Sequence, residues 1–149
     1  MTSIMEIEDS FKLRFDELVR NQYPDLPVAW PNEVFVPPVI PEISAADGAD
    51  DGAYLRWALN HVTSVRMLDH VTNSEVTAVL TVGVFAPANF GERPAKVLAR
   101  DVMRILADEI RIPGLSLVRG PYQTGAGTET DGPYYLINVV SSVRMLGTY

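Results

Sequence analysis

The sequence predicts an α+β fold, a single mixed β-sheet of about four to five strands with two main α-helices packed against it. Three observations predict it. Residues 75–85 (EVTAVLTVGVF) are β-branched and apolar enough for a long strand covered on both faces. A break over residues 86–92 leads into residues 93–110, where Leu98, Val102, Ile105, Leu106 and Ile110 recur at helical spacing. A second helical stripe, Ile4, Ile7, Phe11, Phe15, Leu18 and Val19, occupies the first twenty residues.

The first helix opens on a capping box, with the Ser3 hydroxyl at the cap and the Glu6 carboxylate three residues on. It runs about five turns and stops before Pro24, because the residue ahead of a proline is driven out of the helical region. Residues 24–53 form a proline-rich arm. Prolines at 24, 27, 31, 37, 38 and 41 exclude a long helix and any central strand. Val28, Trp30, Val34, Phe35, Val36 and Ile40 are nevertheless too apolar for a solvated linker, so the arm is expected to lie on a surface. Residues 43–52 are small, acidic and glycine-rich, the composition of a loop.

Residues 54–60 alternate: Leu55, Trp57 and Leu59 face one way, and Tyr54, Arg56, Ala58 and Asn60 the other. Residues 61–71 fit strand edges around a hairpin, and residues 72–74 (TNS) are turn chemistry. The helix over 93–110 carries Pro94 in its first turn, where a missing N–H costs nothing. Burying its five stripe residues is worth on the order of 1.5–3 kcal/mol each before entropy. Pro113-Gly114 ends it, residues 115–118 form a short strand, and residues 120–133 read as a long flexible polar loop. Residues 134–145 are apolar at most positions, which predicts a central strand.

The bulk composition narrows the function classes. A chain of 149 residues fits one domain with a core of its own. With no cysteine there is no disulfide scaffold, no thiol nucleophile and no thiolate zinc site. No apolar run is long enough to span a bilayer, and the first residues are acidic where a signal peptide is basic, so a soluble protein made in the cytoplasm is expected. The net charge of −7 makes the chain a poor general binder of phosphate backbones.

Catalytic patterns are thin. Asp69 and His70 adjoin on an extended segment and point to opposite faces, so they are not a dyad; the two histidines, His61 and His70, read as surface or strand-edge residues. Residues 47–52 (DGADDG) resemble a calcium loop only superficially, since Ala49 stands at the third ligand position. Gly125-Ala-Gly127 lacks the third glycine and following helix of a phosphate cradle, and Ser141-Ser142 falls mid-strand, where hydroxyls are structural. No catalytic, cofactor-binding or metal-ligating residue is assigned. Two readings stand for Trp30 and Phe35: they cover the domain's own core, or they dock on a neighbouring subunit, a role suited to aromatics on proline-stiffened segments.

Residues 27–32 (PVAWPN), then Phe35, Pro37-Pro38 and residues 54–56 (YLR), resemble the first half of the tail-terminator or minor tail proteins of long-tailed, siphovirus-like phages and prophages. Residues 82–87 (VGVFAP), Gly91-Glu92 and the alanine-rich helix are similar to that family's strand–FAP–helix unit, and residues 120–122 (GPY) and Tyr134-Tyr135 to its C-terminal end. The helix end over residues 110–114 (IRIPG), where the family has an aromatic, and the longer acidic loop depart from the pattern.

The resemblance implies a terminator-like fold and a non-enzymatic virion protein without cofactors. Such a protein caps the finished tail tube as a homo-oligomeric ring, commonly hexameric, stops polymerisation and presents a surface to the head. The implied partners are other copies of itself, the major tail tube protein and the head–tail connector or neck protein, with DNA passing through without specific binding. The implied location is the tail of a virion assembled in the bacterial cytoplasm. Trp30, Phe35, Phe90 and Tyr122 are candidate subunit or tube contacts, and Asp47, Asp50, Asp51, Glu129 and Asp131 candidate acidic loop or lumen residues. A head–tail joining protein, or a small α/β ligand-binding protein or enzyme, are the alternatives.

Overall fold

The computed structural model describes residues 2–40, 52–61, 66–67, 73–128 and 133–148. Its elements are α1 (Ile4–Gln22), β1 (Val28–Ala29), β2 (Tyr54–His61), β3 (Arg66–Met67), β4 (Asn73–Pro87), α2 (Arg93–Arg104), β5 (Leu115–Thr128) and β6 (Tyr134–Thr148). The sheet order is β1-β2-β4-β6-β5, with β3 also pairing β4. It is mixed because β1 runs parallel to β2 while the other pairs are antiparallel. The expected α+β architecture is therefore the observed one.

The spine is the β4–β6 pair, in unbroken register from Asn73↔Thr148 to Pro87↔Tyr134. Alternation divides the two strands cleanly. Val76, Ala78, Leu80, Val82 and Val84 of β4, with Ile137, Val139, Val143 and Met145 of β6, are fully buried on one face. Both helices pack on that face, α1 against β6 and α2 against β4 and β6. Ser3 caps α1 as its sequence predicts, its Oγ accepting from the Glu6 N–H at 3.1 Å. Every residue of the predicted α1 stripe is buried. The start of the chain is tied to its end: Thr148 N–H donates to Thr2 O at 3.1 Å, and Ser3 bridges Thr148 in parallel sense.

Four local expectations are corrected. Residues 120–128 are not loop but the second half of β5, which runs from Leu115 to Thr128 along β6. Proline and glycine give a loop signal there, but β5 is the sheet edge, where a missing N–H costs no ladder bond, and its register shifts absorb the glycines. Asn73 and Ser74 belong to β4 rather than to a turn, and Ser74 is fully buried. The second helix is α-helical only to Arg104 and continues as a π-helical turn over Ile105–Glu109. Ile110 is already extended, though its side chain stays buried. Finally, β4 is longer than predicted at both ends.

Candidate interaction surfaces

The face of the sheet opposite the helices carries, across the register, Tyr54–Phe85–Leu136, Arg56–Gly83–Asn138–Thr124, Ala58–Thr81–Val140–Tyr122 and Asn60–Val79–Ser142–Arg119. Among the described residues no helix covers this face. One end is closed by the arm. Phe35 lies 4.9 Å from the Tyr54 ring, Tyr54 stacks on Phe85 at 4.5 Å, and Tyr134 meets Tyr54 edge-on at 5.2 Å. Ile40 and Leu136 complete this small second core. Arg56 lies over the Phe85 ring at 5.0 Å, closing its open side by cation–π attraction.

Trp30 belongs to the main core. Its ring is 5.6 Å from Trp57, which is also flanked by Phe11 and Phe15, each at 5.0 Å. Both arm aromatics are thus half-buried against their own domain. The arm residues pointing outward are instead Val34, Val36 and Val39, 99%, 79% and 91% exposed. Phe90 is half-buried in a 3-10 turn over Ala88–Phe90. Tyr122 is 40% exposed on β5. The acidic candidates Asp47, Asp50, Asp51, Glu129 and Asp131 lie outside the described residues, as does His70.

Two local geometries were not legible in the sequence. The first is a groove of about 310 Å³ between the outer side of α1 and the turn after β1, lined by Leu13, Trp30 and Pro31 and rimmed by Asp9, Asp16 and Glu33, with Lys12 as the one cation. The turn is fixed: Trp30 O accepts from Glu33 N–H, Pro31 holds its second position, and Asn32 has φ 62° at the third. That is the pattern of a type II turn, which needs a residue tolerant of positive φ. The second is a knob on β5. A residue pair three apart in a regular strand points to opposite faces, yet Arg119 pairs with Ser142 and Tyr122 with Val140, both on the helix-free face. Register shifts on either side of Arg119 bring this about. Gly120, at φ 89°, sits where a Cβ would lie 2.8 Å from Val140 O. The Arg119 guanidinium rests 5.5 Å from the Tyr122 ring centre.

Ser141 is structural, its buried Oγ donating to Arg119 O at 3.1 Å across the bulged ladder. His61 meets Glu8 of α1 on the exposed side of the helix layer. At the start of α2, the Lys96 ammonium hydrogen-bonds Glu92 at 2.8 Å; that bond holds the Glu92 carboxyl below, and the Lys96 ammonium above, the usual range. Tyr135 Oη also reaches Glu92, at 3.4 Å. Among the described residues there is no group of three or more His, Asp or Glu placed to hold a metal ion, and no helix long and apolar enough to cross a membrane.

No family model and no curated protein matches the chain. Its fold does recur among solved structures. One of them superposes with a TM-score of 0.66 over 97% of this chain and 96% of its own, at 22% identity. That likeness carries the fold alone.

Proposed function

We propose that the chain is a structural protein of a long-tailed phage virion, a tail terminator that closes the end of the tail tube as a homo-oligomeric ring of six subunits. In this reading it acts without catalysis. It stops tube growth and offers its other axial surface to the head connector.

The observation that carries the reading is where the family-like motifs meet. Phe35, Tyr54, Phe85 and Tyr134 come from four separate stretches of sequence, each part of the resemblance, and they converge on one aromatic cluster. Packing rather than chance composition therefore explains why those residues stand at those spacings. Of the other motifs, residues 120–122 fall in the bulged stretch of β5. A ring also requires two different patches per subunit. The acidic groove, between α1 and the turn after β1, and the knob on β5 are two such patches, β1 and β5 being opposite edges of the sheet.

The test is polymerisation of the cognate tube protein with and without this chain. Binding to tube ends, at a stoichiometry set by ends rather than by tube mass, with arrest of growth, is the expected result. Binding to the capsid-side connector but not to tube ends would move the chain to the neck. Binding to neither would remove the proposal.

A further inference from the structure

We infer that the knob of β5, Arg119 with Tyr122, docks in the acidic groove between α1 and the Trp30–Glu33 turn of a second copy of this chain. The inference rests on the oligomeric part of the proposed function and names the two surfaces that would carry it.

Charge and shape both point to this pairing. The groove has an apolar floor, with Leu13 62% exposed beside the half-buried Trp30, under a rim of three carboxylates and one lysine. Asp16 is engaged by Arg20 at 3.4 Å, but among the described residues Asp9 and Glu33 have no cationic partner. The knob is the converse. It offers a guanidinium stacked on a tyrosine, with the 59% exposed Val118 beside it, and Arg119 has no carboxylate partner among the described residues. Arg144, exposed on the same face of β6, adds a second positive charge.

The knob cannot fill its own groove. β5 and β1 are the two ends of the five-strand order, four strand spacings or roughly 19 Å apart. Both patches are also stiff before they meet: the groove wall is a proline turn and the knob is held by a bulged ladder. Little ordering entropy opposes docking between preformed surfaces. Because the two patches differ, the contact is head-to-tail, and repetition closes a ring or extends a filament.

Charge reversal tests the pairing in solution. Sedimentation of the full chain across a concentration series is expected to show self-association that weakens by at least ~10-fold in either Arg119→Glu or Glu33→Arg. The double variant E33R/R119E is expected to recover it. Mixing the two single variants is expected to restore association in alternating 1:1 order, since the unaltered knob of one meets the unaltered groove of the other and the two reversed patches match as they do in the double variant. Both positions are exposed, and unchanged melting temperatures establish that the variants fold. Self-association indifferent to both reversals would overturn the pairing while leaving a ring built on other surfaces. A wild-type chain that stays monomeric up to about 1 mM would overturn it as well. Failure to bind tube ends by a chain that does associate in this way would instead count against the terminator reading.

Discussion

A carboxylate buried between helices has to be held by donors, and Asp101 of α2 is. It is 4% exposed and accepts from the Tyr23 hydroxyl just past α1, with Arg100 and Arg104 guanidinium nitrogens at 3.5 and 4.0 Å. Arg104 also donates to Gln22 at 2.7 Å, so the end of α1 is tied to α2 twice. Removing the acceptor breaks the Tyr23 contact and loosens the helix pair. Asp101→Ala is expected to lower stability by about 1–3 kcal/mol in denaturant unfolding, and Asp101→Asn, which keeps an acceptor, to cost less. The exposed Glu92–Lys96 pair gives a pH signature. The lowered Glu92 pKa contributes stability above the ordinary carboxylate range that is lost as pH falls through the depressed value. The raised Lys96 pKa contributes stability that is lost as pH rises through it. The melting temperature of Lys96→Gln is therefore expected to fall slightly below wild type at neutral pH and to converge with it at strongly acidic and strongly alkaline pH.

At the scale of elements, the parts of the chain that follow one period were legible. The α1 stripe, its Ser3 cap and the alternation of residues 55–59 and 76–84 each encode a buried face directly, and each element formed where its pattern stands. The second half of β5 was not legible, because glycine and proline give the same local signal in a loop and in a bulged edge strand. Only the pairing with β6 distinguishes them. The same ambiguity hid Arg119, since a period of two sends it away from Tyr122. Gly120 is the hinge of this arrangement. Gly120→Ala is expected to cost on the order of 1–3 kcal/mol from its left-handed backbone and the approach to Val140 O. It is also expected to weaken self-association beyond what that loss of stability explains, because Arg119 and Tyr122 would no longer share a face.

For the whole molecule, the sheet separates two tasks. One face is closed by α1 and α2 over a continuous apolar core, and supplies stability. Among the described residues the other is closed at one end, by Phe35 and Ile40 of the arm over Tyr54, Phe85 and Tyr134. The sequence singled out Trp30 and Phe35 because they are large aromatics on a stiff segment, but that description fits residues anchoring the arm as well as residues offered to a partner. Their half-buried positions show the anchoring, while the neighbouring valines and the turn at Pro31-Asn32 are left outward. The acidic groove beside the turn after β1 and the cationic knob on β5 then differ in charge, and the proposed pairing of copies would run in one orientation only. The most direct test of the terminator account is electron microscopy of tail tubes polymerised with and without this protein. The account predicts a ring of this protein at one end of each tube and a halt in growth. Tubes of unchanged length with no added density at either end would contradict it.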